Sequence, residues 1–112
     1  MVAYTIENAL FQWEEGEARI RDAEGAEARE LDRAAGMVVD ELRARLGGTF
    51  TLGELAELYG EGTDWVRDEV QRRFFDTDVT AAVNAGFLRY ARRSSDYAGG
   101  RLRQPEEQES AG

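Results

Sequence analysis

The sequence predicts an all-α, single-domain bundle of four to five helices with a helix-turn-helix-like corner. Three observations point to it. Apolar residues recur at spacings of three and four in several segments, which places them on one face of a helix. Glycine pairs, a Gly-x-Gly and an Asp-Thr-Asp separate those segments at helix-length intervals. Apart from a few residues around 49–51, no stretch alternates apolar and polar residues long enough to make a strand. With 112 residues, 42% hydrophobic and 33% charged, the chain has the size of one ordinary domain and material for one core.

Composition removes several function classes. The chain has no His, no Cys and no Lys; all 14 basic residues are Arg. Disulfides, thiolate or imidazole metal sites and catalysis by His, Cys or Lys are therefore excluded, and any metal site would be all-oxygen. Arg without Lys, beside abundant Ala, Gly and Glu, points to a GC-rich genome and says nothing of mechanism. The net charge is −9, and it is spread along the chain: six Arg face eleven acids up to Gly48, and eight face twelve beyond it. Such a field repels phosphate backbones at long range. The first residues carry no basic region, and no stretch approaches the roughly 20 apolar residues of a membrane span, so the expected location is cytoplasmic with no membrane partner.

Taken in order, Thr5 is an N-cap for a helix bearing Ile6, Leu10, Trp13 and Ile20, with Glu17 interrupting the apolar stripe. From Glu14 to Glu30 the chain is almost purely Glu, Ala, Arg and Gly. Glu15–Arg19 and Glu17–Arg21 stand at the favourable i,i+4 spacing. Gly16 and Gly25 each cost about 1 kcal/mol against Ala, and the break is expected near Gly25. The second helix runs from about Glu27 to Leu46 on the core stripe Leu31, Ala35, Val38, Leu42 and Leu46, with Glu41–Arg45 outside, and Gly47-Gly48 stops it. The two segments form either one rod, roughly 60 Å long, or a hairpin closing around Gly25; the hairpin is favoured.

Thr51-Leu52-Gly53-Glu54 reads as a capping box opening a short helix to Tyr59, followed by a turn at Gly60-Glu61-Gly62. Thr63 or Asp64 caps a helix to about Phe75 with Trp65 or Val66, Val70 and Phe74 on its stripe and Asp68–Arg72 and Glu69–Arg73 paired outside. Asp76-Thr77-Asp78 breaks and caps again, and a last helix runs to about Arg93 with Val79, Val83, Phe87 and Tyr90 on one face. The expected domain is 1–98. Residues 99–112, with Gly-Gly, the one Pro and a Glu/Gln/Ser cluster, read as a disordered tail.

Three groups of residues carry functional readings. Within LGELAELYGEGTDWV, Ala56, Gly60 and Val66 resemble the small residue, turn glycine and apolar anchor of the DNA-binding helix-turn-helix motif. The resemblance covers some twenty residues. It implies a reader at 63–73 that would use Arg67, Gln71, Arg72 and Arg73. It departs where an apolar residue usually follows the glycine, here Glu61, and Asp64, Asp68 and Glu69 oppose contact with phosphates. An ordinary helical corner accounts for the same residues. The second group is Arg89, Arg92, Arg93, Arg101 and Arg103, the one locally basic region, beside Tyr90 and Tyr97. These side chains either meet an acidic or nucleic-acid partner or pair with the chain's own acidic N-terminal helices. The third is Leu10, Phe11 and Trp13, which cannot all face one side of a helix. At least one is then tucked under a loop or anchors a partner or a second copy.

Paired carboxylates at 14–15, 64/68 and 76/78 lack the spacing of a Ca²⁺ loop, and among 23 acids near neighbours arise by chance. Ser94-Ser95 has no base to activate a hydroxyl. No phosphate loop is present. The expected function is a non-catalytic interaction module for another protein or for a homodimer, with no cofactor, metal or small-molecule substrate; the alternative is a helix-turn-helix regulator.

Overall fold

The computed structural model describes residues 5–94, 96–98 and 101–102. Among them five helices follow one another: α1 (Ile6–Asp22), α2 (Gly25–Leu46), α3 (Leu52–Glu61), α4 (Asp64–Arg73) and α5 (Val79–Ala91). The chain is all-α, as its periodicity predicts. A minimal antiparallel ladder, β1 (Tyr97–Ala98) with β2 (Arg101–Leu102), follows them.

Each boundary has a local cause. The Thr5 hydroxyl accepts from the Asn8 N–H at 3.1 Å. The α1–α2 break falls at Ala23-Glu24, and Gly25 sits at φ +61, where a side chain would be strained. Gly47 ends α2 at φ +77. The capping box at α3 is present in both directions: Thr51 Oγ1 accepts from the Glu54 N–H at 3.1 Å, and Glu54 Oε1 accepts from the Thr51 N–H at 3.0 Å. Asp78 caps α5, accepting from the Ala81 N–H at 3.2 Å. Thr63 stands at the N-cap of α4 without a side-chain bond.

α1 and α2 form two arms of a hairpin, not a rod. Ile20 of α1, Leu31 and Ala35 of α2 and Ala81 and Ala85 of α5 share one buried cluster, and the molecule is 47 Å in its longest dimension. Both arms lie against α5, in which every residue from Ala81 to Leu88 is buried. One apolar face was the expectation for this helix. The reason it buries more is its run of small residues, which accepts a neighbour on each of two sides. Gly16 crosses α5 so closely that a Cβ there would lie 2.6 Å from Asn84 Cβ and 2.8 Å from the Ala81 carbonyl oxygen. At Gly86 the same atom would meet Val38 Cβ at 2.5 Å.

The larger core cluster centres on aromatics. Trp13 stacks on Phe87 at 5.6 Å between centroids and meets Tyr59 edge-on at 5.7 Å. Tyr59 Oη donates to Asn84 Oδ1 at 2.7 Å, while the Trp13 indole N–H finds no acceptor among the described residues. Phe50, in the extended link between α2 and α3, stacks on Tyr90 at 4.5 Å, and the Tyr90 hydroxyl donates to the Gly47 carbonyl. The turn after α5 closes this end: Asp96 accepts from the Leu52 N–H at 3.2 Å and the buried Ser94 hydroxyl donates to the Phe50 carbonyl at 3.4 Å.

Several local expectations change. Arg19 pairs with Glu27 at 2.6 Å and Asp78 at 3.3 Å instead of Glu15, and Glu17 pairs with Arg89 instead of Arg21. The Glu17–Arg89 pair is the more sheltered of these, with both side chains partly withdrawn from solvent between packed helices, where Coulomb attraction is stronger. Glu69 takes both Arg72 and Arg73. Arg45 lies 3.9 Å over the Trp65 ring instead of pairing along α2 with Glu41. α3 continues through Gly60 to Glu61, so its turn is Gly62-Thr63 with φ +122 at Gly62. Within the segment expected as a tail, the backbone of Arg101–Leu102 pairs antiparallel with Tyr97–Ala98. Residues 99–100 and 103–112, the remainder of that tail, lie outside the described residues.

Candidate functional site

The arginines of three helices meet on one side of the molecule. α2 presents Arg33, Gly36, Met37, Asp40 and Arg43, a set at helical spacing on the face turned away from its core stripe. α4 contributes its last residue, Arg73, and the capping residue Phe74, whose backbone leaves the helix at φ −133, ψ 60. α5 and the turn after it contribute Arg89 and Arg93. Together with Val39 these residues line an open groove of about 620 Å³. The lining thus carries five arginines, one carboxylate and apolar surface from Met37, Val39 and Phe74. Nothing stands within 4 Å of where a Cβ at Gly36 would be, so the groove is open above that residue.

The five guanidinium groups are not equally available. Arg89 is the most committed. Its Nε and Nη2 donate to the two Glu17 oxygens at 3.0 and 3.1 Å, and Nη2 also reaches Asp32 at 2.8 Å. The Glu17 hydrogen bonds are the main reason its pKa lies above the ordinary guanidinium value; burial works against them, and Asp32 adds to them. Arg89 therefore ties α5 to both arms of the hairpin. Arg43 pairs with Asp40 at 3.1 Å, and Arg73 reaches Glu69 only at 3.9 Å. The side chains of Arg33 and Arg93 make no hydrogen bond or ion pair within the described residues. The groove thus holds surplus positive charge on a chain of net charge −9.

Protein-family models, curated proteins and solved structures offer no match to this chain.

The groove gathers Arg73, Arg89 and Arg93 from the residues that the sequence singles out, and sets the others apart. Arg92 lies beyond it, beside Glu14, Glu17, Arg21, Leu88 and Tyr97. Arg67 donates to Thr80 Oγ1 at 3.1 Å, Arg72 pairs with Glu69, and Gln71 is exposed on α4 without joining the groove. Leu10 and Trp13 are buried in the chain's own core, so of the three apolar candidates only Phe11 is left to meet a partner; it is 60% exposed beside Glu14, Glu15 and Ala18.

Arg33, Gly36, Met37, Arg43 and Phe74 were not singled out by sequence. A signal existed on α2, where Gly36 and Met37 interrupt a face otherwise made of charged residues. The helical corner is present, with Ala56 and Val66 buried as their spacing predicts, but Gly60 is helical and α4 packs on α2 and α5. Asp64 and Asp68 are exposed on α4. Among the described residues no cluster of acids could hold a metal ion, and no helix is long and apolar enough to cross a membrane.

Proposed function

We propose that this chain is a non-catalytic, cytoplasmic interaction module, a helical platform that docks another protein on the face built by α2 and the C-terminal ends of α4 and α5. One observation carries the reading. Five arginines, of which Arg33 and Arg93 have no side-chain partner among the described residues, surround an apolar floor in an open groove, on a chain of net charge −9. Mixed apolar and Arg-rich surface is the composition of protein-binding hot spots.

Binding of DNA by residues 63–73 is the second reading, and the buried Ala56 and Val66 at motif spacing favour it. Against it, Arg67 and Arg72 already have partners, and the acids of α4 face the same solvent. A photo-crosslinking phenylalanine analogue placed at Met37, and separately at Gln71 and Ala18, tests both readings in the cells that make the protein. A protein adduct from position 37 and none from position 18 is the expected result, with an adduct at twice the chain's mass identifying a homodimer. A nucleic-acid adduct from position 71 would replace this reading with the second.

A further inference from the structure

We infer that the groove takes a short acidic segment of a partner protein, with carboxylates on Arg33, Arg73 and Arg93 and one apolar side chain seated over Gly36 against Met37 and Phe74. This deepens the interaction reading and rests on it.

Charge complementarity specifies the polar half of the ligand. Arg33 and Arg93 have no anion among the described residues, and the one acid near Arg73 stands 3.9 Å away. Several guanidinium groups lining one groove repel one another, and a carboxylate relieves that repulsion while accepting paired N–H donors from a planar fork. Arg43 and Arg89 are already bonded to Asp40, Glu17 and Asp32, so the demand for an anion falls on the other three.

The floor specifies the apolar half. Glycine at 36, in the middle of a regular helix, leaves a gap above the α2 backbone, and the adaptable thioether of Met37 and the ring of Phe74 line the same groove. An inorganic anion would leave that apolar surface unused. A duplex would bring further phosphates toward the exposed Asp64 and Asp68 and into the field of a chain of net charge −9. A peptide of alternating acids around one Leu or Phe uses both halves.

The test uses the full chain, labelled with ¹⁵N, and four probes: a twelve-residue peptide of Glu, Asp and Ser with one central Leu, the same peptide with Ser for Leu, inorganic phosphate, and a DNA duplex. The Leu peptide is expected to move amide signals of residues 33–43, 73–74 and 89–93. Arg33→Glu and Arg93→Glu should each weaken it at least fivefold. Gly36→Leu should weaken it at least tenfold with no fall in Tm, because nothing stands within 4 Å of a Cβ at that position and the rest of the side chain extends into the groove. Equal binding of the Ser peptide or of phosphate would reduce the groove to an anion site, tighter binding of the duplex would make it a nucleic-acid site, and normal binding by Gly36→Leu would remove the anchor; each overturns the inference. A protein adduct from position 37 without binding of the acidic peptide overturns this inference alone, whereas the lack of any protein adduct overturns the interaction reading as well.

Discussion

At the scale of single residues, the same amino acid has opposite roles at two places. Gly16 and Gly36 are both helical glycines, each costing about 1 kcal/mol against Ala by propensity. Gly16 is pressed against the α5 backbone, whereas the space above Gly36 is empty. Gly16→Ala is expected to destabilise by about 1–3 kcal/mol through the clash, and Gly36→Ala to stabilise by about 0.5–1 kcal/mol. Urea denaturation of the two variants shows it as midpoints moving in opposite directions. Trp13 is a core residue. Trp13→Ala should cost about 3–5 kcal/mol, much of the stability of a domain this size, while Phe11→Ala should stay within about 0.5 kcal/mol. Thermal melts of the two decide this, and a folded Trp13→Ala protein with near-normal Tm would contradict the placement. Arg89 joins three helices through partners whose side chains are 18% (Glu17) and 61% (Asp32) exposed. Its loss should cost about 1–3 kcal/mol, reduced from the fully buried case by solvent screening. Because its pKa is raised, this contribution is fully present below the unfolded value and is lost only as pH climbs through the folded one, so it is constant across the physiological range.

At the scale of elements, the helices were legible where local chemistry sets them. Thr5, the Thr51–Glu54 box, Gly47 and Asp78 mark termini in sequence and in structure alike. Thr51→Ala should remove one arm of the box and cost about 1 kcal/mol, read as a lower denaturant midpoint at unchanged m-value. What depends on tertiary contact was less legible. The i,i+4 spacing of Glu17 and Arg21 suggested a pair along α1, yet Glu17 serves Arg89, a residue 72 positions away. The charge that interrupts the apolar stripe of α1 is the one that reaches into the bundle. Nor did a single apolar face on α5 reveal a helix packed from two sides, because Ala and Gly read as filler in a periodicity count and act as close-approach surfaces in the fold. The Gly60 turn failed for a related reason. The second glycine, Gly62, supplies the positive φ, and α3 runs on for a further half-turn.

At the scale of the whole molecule, charge is the property that joins fold to function. The net −9 was evident at once, and it correctly described most of the surface while hiding its exception. Arg33, Arg43, Arg73, Arg89 and Arg93 lie up to 60 positions apart in sequence, and only the packing of α2 against α4 and α5 puts them on one groove. No sum over residues or halves of the chain could show that convergence. On the proposed reading, the groove is a local attractor in a repulsive field, and an acidic ligand gains by docking there. Reversing the groove should then reverse the choice of ligand. The most direct measurement is a fluorescence anisotropy titration of the double variant Arg33→Glu/Arg93→Glu with the Leu-anchored acidic peptide and with its Lys-substituted counterpart. The account predicts that the wild type prefers the acidic peptide and that the double variant prefers the basic one. Unchanged preference for the acidic peptide in the double variant would contradict it.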